Sequence, residues 1–377
     1  MSNLDKKNKK DKKDLAGIIH CHCHDYSPDA TESFDLMVAT AKKSNLDFII
    51  FTDHNSVGLK KDKKDKNYDG LQVIAGTEIT PACNFARFED KSIDEDESNG
   101  HLLVFDLDEL PSEEFIDKGI RQEMIDFFVG KGLLCFLAHP DHKGTKAFGI
   151  PSYRCKNFDI DGYTGFSLWD IMTDWQNYTK GIASGLLAFF FPILMLKGPE
   201  KETIARWDAL TKERSYSIIG EIDQHAYQYK LYGYKFTIFK CGFSFKTIRT
   251  HIVLNQAINT NADFKETVIQ GLRQGHTYVS CDYLKDADGF TFTAECDSQK
   301  YIMGDTISNA NGKVTFNINT PSIADIRIIK DGERVHSHYG DTLTFTVEES
   351  GVYRVEVYRK VFFKMRPWIF SNTIRIL

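Results

Sequence analysis

The sequence predicts an α/β protein: a ring of parallel strands that carries metal ligands, followed by a smaller antiparallel β domain. Three observations predict it. Five apolar runs, LAGIIHCH, DFIIFTDH, LQVIAGTE, GLLCFLAH and YSIIGEIDQH, each end on residue types that bind metals. Stretches with helical spacing separate these runs. After about residue 286 the pattern changes to alternation of period two. Buried carboxylates and imidazoles are costly unless paired or metal-bound. The strand C-termini of a parallel barrel are where catalytic residues sit.

The elements follow in order. Thr31 and Ser33 are candidate caps for a helix with Phe34, Met37, Val38 and Ala41 on one face. DFIIFTDH is a short run rich in β-formers. Ser112 opens a helix with Ile116, Ile120, Met124 and Phe127 on one side, and GLLCFLAHP is the next strand. Pro199 opens a helix with Ile204, Trp207 and Leu210 aligned. YSIIGEIDQH is again a strand, and Phe264, Val268 and Leu272 mark a helix that stops near Gly275. Such alternation means parallel pairing with crossover helices. The later segments GFTFTAE, KVTFNINT, IADIRIIKDGERV, TLTFTVEE and GVYRVEVYR alternate apolar and polar residues, and Asp331-Gly332 is a hairpin signal. They read as a small β-sandwich. The expected organisation is a disordered Lys-rich tail over 1–14, a hydrolase barrel over 15–286 with an apolar insertion at 181–198, and a β-sandwich over 287–377. Two segments, LKKDKKDKNYDG and FEDKSIDEDESNG, read as extended, mobile loops that rim the site.

Composition narrows the classes. The 42% apolar and 27% charged fractions are those of a globular protein, and the net charge of −6 excludes a general nucleic-acid binder. Eight cysteines are too sparse for a disulfide scaffold, which points to a reducing cytoplasm. Cys21 and Cys23 flank the first histidines, where a thiolate could bind metal. No hydrophobic core of signal-peptide length follows the lysine-rich start. The run IASGLLAFFFPILML (182–196) is shorter than a membrane span and contains Pro192. It reads as a packed insertion or dimer face. A peripheral contact with lipid, or a cover over an apolar substrate, is the lesser reading.

The candidate ligands are His20, His22, Asp53, His54, Glu78, His101, His139, Asp223 and His225. On a strand, residues i and i+2 share a face, so His20 and His22 can reach one ion. His22 and His24 form the alternative pair. The first pair is favoured because Gly17-Ile18-Ile19 leads straight into it. Asp223 and His225 repeat the spacing. Glu78 offers one carboxylate that could bridge two ions. His101 starts its strand and would sit at the opposite end if that strand paired in the same sense; an antiparallel strand would still bring it to the site. His142, Lys143 and Arg154 follow His139 and are weak candidates for holding substrate. Mixed His, Asp and Glu ligands suit Zn²⁺, Mn²⁺ or Fe²⁺, and such ions make a hydroxide nucleophile near neutral pH.

Taken together, the pieces HCH, YSPDA, TDHN, GTEIT, GHLL, AHP and IDQH, in that order over residues 17–226, resemble the PHP (polymerase and histidinol phosphatase) family. The pieces FKTIRTHIVL, GLRQGHTYVSCD, IKDGERV, GVYRVEVY and RPWIFSN are similar to its carbaryl-hydrolase type (CehA/McbA-like) subgroup. The resemblance implies a distorted (β/α)7 barrel with two or three divalent metal ions. It implies that His20, His22, Asp223 and Glu78 share one ion. Glu78 would bridge to a second ion held by His101 and His139, and His54 and His225 would hold a third with Asp29. Asp53 would orient a ligand, with His24 a neighbour or alternative ligand.

Three functions fit these residues. The first is a hydrolase acting on a small phosphate ester. The second is a carboxylic or carbamic ester hydrolase using the same metals. The third is a non-catalytic, metal-stabilised binding module. A homo-oligomer is compatible with each.

Overall fold

Seven short strands build the ligand-bearing region, and six of them carry candidate ligands at or just past an end. They are β1 (Asp14–Cys21), β2 (Phe48–Phe51), β3 (Leu71–Ile79), β4 (His101–Phe105), β5 (Leu134–Ala138), β6 (Gly165–Asp170) and β7 (Ser217–Glu221). The computed structural model describes residues 12–81, 100–231, 233–255, 264–308 and 312–377. Neighbours β1–β2 and β2–β3 pair in parallel, as do β5–β6 and β6–β7. Just past β7, Gln224 bridges in parallel to Cys21, and the Ile222 and Gln224 amides donate to the Ile19 and His20 carbonyls. The run of pairings therefore returns to its first strand. Alternate residues feed two apolar clusters: Ile19, Ile50, Ile74, Leu103, Phe136 and Ile219 in one, Ile18, Ile49, Val73, Leu102, Leu137 and Ile218 in the other. Strands buried on both faces read as continuous apolar runs, which is why these do.

One expectation fails. β4 is antiparallel to both β3 and β5. A strand that reverses direction needs no crossover helix, and here it brings an N-terminal residue to the mouth formed by its neighbours' C-termini.

The helices follow their caps. In α1 (Phe34–Lys43) the Leu36 amide donates to Ser33 Oγ, and Phe34, Met37, Val38 and Ala41 are buried. The helix expected after Ser112 is two pieces, Glu113–Asp117 and α2 (Gln122–Val129). Gly119 at φ +73° and an extended Arg121 at φ −149° break it. Then come α3 (Ile171–Tyr178), α4 (Ile182–Phe190), α5 (Lys201–Leu210) and α6 (Phe264–Gln274). Gly275 at φ +70° ends the last, as expected of a C-terminal glycine. No described helix is long and apolar enough to cross a membrane.

Two strands, β8 (Ile248–Val253) and β9 (Thr277–Cys281), extend the sheet antiparallel from β1. The C-terminal strands β10 (Thr291–Cys296), β11 (Val314–Lys330), β12 (Glu333–Val347), β13 (Gly351–Val361) and β14 (Lys364–Ser371) are all antiparallel. They enclose their own cluster around Phe292, Phe316, Ile326, Val355 and Trp368. β14 pairs with β9, so one sheet continues across residue 286. Asp331 and Gly332 make the β11–β12 turn, both at positive φ (+52° and +92°), the conformation this dipeptide favours.

The segment expected as a mobile loop over 59–70 is structured. It holds a helical turn, Gly58–Lys61, and a strand pair from Asn67 to Gln72. Residues 88–99 of the second loop and 1–11 of the tail lie outside the described residues. Residues 12–14 do not belong to a disordered tail: Lys12 bonds Asp47, and Asp14 starts β1. The described cysteines are free and buried.

Asp14 also anchors a buried network. It accepts from His251 Nδ1 at 2.9 Å and from the Tyr278 hydroxyl at 2.5 Å, and the His251 ring stacks on Tyr278. Burial works against a charged His251, but Asp14 and Asp282 outweigh it and push its pKa up to about 9. The folded value exceeds the unfolded value of about 6.5, so this stabilisation is complete below the unfolded pKa and is lost as pH rises through about 9. His251→Leu is expected to cost up to about 3 kcal/mol more near pH 6 than near pH 10 in urea unfolding. An equal cost at both pH values contradicts this role.

Candidate metal centre

The ligand types reach one mouth because the backbone bends there. At the end of β1 the register with β2 slips between Ile19 and Cys21, and His20 takes φ +68°. A bulge of this kind re-aims side chains. The His20 and His22 rings lie 5.1 Å apart. Thus His20/His22 is the pair brought together, through a bulge and not through a regular strand. His24 is exposed and donates from Nδ1 to the Ala30 carbonyl. His139 and Asp223 also hold positive φ, +25° and +43°. Such conformations are uncommon outside glycine and cluster at functional sites. His101 pairs opposite Ala138 in the β4–β5 ladder, which sets it beside His139.

Glu78 sits at the centre, fully buried. Its Oε2 lies 3.2 Å from His20 Nε2, 3.3 Å from His22 Nε2 and 3.0 Å from His54 Nδ1. Its Oε1 lies 2.5 Å from His101 Nδ1 and 3.2 Å from His139 Nε2. Asp223 Oδ1 is 3.3 Å from His20 Nε2 and 3.4 Å from His225 Nδ1. Asp29 Oδ2 is 3.3 Å from both His54 Nε2 and His225 Nε2. Three groups emerge that could each hold a metal ion: His20, His22, Glu78 and Asp223; Glu78, His101 and His139; His22, His54 and His225.

The donor atoms fit such ions. His20 Nε2, His22 Nε2, Glu78 Oε2, His101 Nε2 and His139 Nδ1 are buried without a hydrogen-bond partner among the described residues. Leaving a buried polar atom unmatched costs about 1–3 kcal/mol, so a cation shared among these atoms would lower the cost of burying them. Burial opposes ionisation of Glu78, yet His20, His101 and His54 hold its carboxyl well below the usual range. Asp223 is held down in the same way, by His20 and His225. Burial, aided by His225 and His54, pulls His22 down to about 3, whereas neighbouring carboxylates outweigh burial and push His54 up to about 10 and His139 up to about 9.

Glu221 was not singled out from the sequence. It is fully buried, accepts from His20 Nδ1 at 2.8 Å and accepts the His139 amide at 2.6 Å. Its signal was present: a carboxylate inside an apolar run, two residues before Asp223. Asp53 accepts the Cys23 amide at 2.8 Å, which steadies the backbone just after His22. Burial pushes the Cys21 and Cys23 thiols up, so neither is a thiolate. Glu221→Gln is predicted to weaken metal binding about 10–100-fold in titration calorimetry, the usual effect of losing a group that orients a ligand. Unchanged affinity contradicts that role.

The cluster floors a cavity of about 250 Å³. Its walls are Ile150, Tyr153, Met172, Trp175, Ile238 and Phe239. No lysine or arginine among the described residues lines it. Lys143 instead bonds Glu200 and Glu202, and Arg154 lies against Asp141. His142 does line the cavity; its Nε2 lies 2.7 Å from Gln176 Nε2, and its Nδ1 has no hydrogen-bond partner among the described residues. The walls were not legible in the sequence because they come from three separate stretches of chain. The insertion at 182–196 lines none of the cavity.

No curated protein sequence matches this chain. Among solved structures, PsfC from Pseudomonas syringae PB-5123 aligns at 11% identity and a TM-score of 0.38, over 68% of this chain and 88% of PsfC. A provisionally assigned metal-dependent phosphoesterase from Bifidobacterium adolescentis ATCC 15703 aligns at 16% identity and a TM-score of 0.37, over 68% of this chain and 95% of that one. Likenesses this remote carry no functional argument. The PHP domain family matches residues 19–238, more than half of the chain and every candidate ligand above, and the chain belongs to that family.

Proposed function

We propose that this chain is a metal-dependent hydrolase that cleaves a small phosphate ester. One observation supports the reading most: the two oxygens of buried Glu78 face two separate imidazole groups, His20, His22 and His54 on one side and His101 and His139 on the other. In this reading His20, His22, Glu78 and Asp223 hold one ion. Glu78, His101 and His139 hold a second, and His54 and His225 a third with Asp29. The ring of strand pairings is then the distorted (β/α)7 barrel. A reducing cytoplasm is the compartment this reading favours, and the free thiols among the described residues are compatible with it. Divalent ions bound there would supply Lewis acidity, acidifying water toward neutrality and neutralising a phosphoryl oxygen.

The chain's own residues do the rest. Glu221 holds His20 in one orientation through Nδ1. The Gln176 amide, 2.7 Å from His142 Nε2, holds that ring in the cavity wall. Trp175, Met172 and Phe239 exclude water from the leaving group.

Enzyme loaded with Mn²⁺ is expected to hydrolyse an aryl phosphate. Glu78→Gln is expected to lower kcat/KM about 10³-fold or more, because several kcal/mol of charge stabilisation goes with the ligand. His142→Ala is expected to lower kcat/KM about tenfold with metal content intact, because a wall of the cavity is lost. Metal-independent turnover, or full activity in Glu78→Gln, defeats the proposal.

A cavity with apolar walls and no lining lysine or arginine among the described residues also favours a second reading, hydrolysis of a neutral carboxylic or carbamic ester. Naphthyl esters turned over faster than naphthyl phosphate select it. Trp175→Ala then raises KM with kcat little changed, the mark of a contact made equally in ground and transition states.

A further inference from the structure

Helix α4 is built inside out. Its small residues Ser184, Gly185 and Ala188 turn toward the protein, and a Cβ on Gly185 would meet the Phe148 ring at 2.8 Å. Its large apolar residues Ile182, Leu186, Leu187, Phe189 and Phe190 face outward, followed by exposed Phe191. Phe190 is 68% exposed. An ordinary surface helix has the opposite arrangement.

A second apolar element stands nearby. The β13–β14 hairpin turns on Phe362 and Phe363, which are 82% and 97% exposed. Phe362 holds φ +54°, a conformation for which a hairpin turn normally uses glycine at its first central position. The fold gains nothing from phenylalanine there. The same domain uses Asp-Gly at its β11–β12 turn, so suitable turn residues are within its repertoire. The two elements meet near their bases: Arg366 Nη1 donates to the Leu196 carbonyl at 3.4 Å, and Pro367 packs on Gly198.

Their charge has one sign. Residues 179–198 and 357–377 contain no Asp or Glu. Exposed Lys180 and Lys197 flank the helical segment, and exposed Lys360 and Lys364 flank the turn. Aromatic and aliphatic side chains bordered by lysines are the pattern of an element that lies in the lipid interface. Lysine stems bury while their ammonium groups reach the phosphates. Paired apolar and basic signals are what reversible anchoring requires.

We propose that α4 with residues 191–197 and the Phe362–Phe363 turn form one docking surface for an anionic lipid bilayer. The protein rests on the membrane without spanning it. This surface is separate from the metal cluster, so it stands or falls independently of the hydrolase reading.

Co-sedimentation of the full chain with vesicles tests it. Vesicles of phosphatidylcholine with phosphatidylglycerol are expected to bind the protein at least about tenfold more tightly than phosphatidylcholine alone, and salt is expected to weaken that binding. Phe362→Gly with Phe363→Asn suits the turn better and is expected to keep or raise Tm while binding falls about tenfold. Lys360→Gln with Lys364→Gln is expected to remove the preference for phosphatidylglycerol. The proposal is overturned if the wild type fails to sediment with either vesicle, or if the turn variant binds like the wild type. It is also overturned if this surface instead joins two copies: a lipid-free dimer that Phe190→Ser dissociates, with no vesicle binding.

Discussion

A carboxylate fully removed from water among five histidines is the constraint around which this molecule is arranged. Glu78 is buried, yet imidazoles on both of its oxygens keep it ionised. Taking a lone carboxylate out of water costs several kcal/mol even after relaxation. The surrounding nitrogens recover that cost only in part, since several have no hydrogen-bond partner of their own. Divalent ions would resolve both problems together, because each would satisfy several donors and supply the positive charge the carboxylates need. Structure and proposed function thus share one cause.

The backbone is shaped to serve that arrangement. His20, His139 and Asp223 occupy positive φ, and a register slip at His20 turns the end of β1. The reversed strand β4 delivers His101 from its N-terminal end. Glu221 links two of these points by holding the His20 ring and the His139 amide. Each distortion sits at the mouth, while the strand bodies below are regular and apolar on both faces. The scaffold carries the strain of the site.

Much of this was legible in the sequence, for identifiable reasons. Apolar runs that end on His, Asp or Glu located the strand ends, because continuous hydrophobicity and a terminal ligand are both local signals. The α1 cap and the Asp331-Gly332 turn were likewise local. What was not legible depends on pairing. The direction of β4 is set by its neighbours, so the sequence left the position of His101 open. The choice between His20/His22 and His22/His24 rests on a bulge that no spacing rule gives. The cavity wall combines Ile150, Trp175 and Phe239, far apart in the chain. Lys143 and Arg154 looked available, but nearby carboxylates claim them. The break at Gly119 divided a helix whose apolar spacing ran straight through it.

The central claim is that Glu78 joins two cation sites. Anomalous scattering from crystals grown with Mn²⁺, measured at the metal's absorption edge, tests it most directly. The account predicts two strong peaks flanking the Glu78 carboxylate, one beside His20 and His22 and one beside His101 and His139. No peak within bonding distance of Glu78, or a single peak reached by only one of its oxygens, contradicts it.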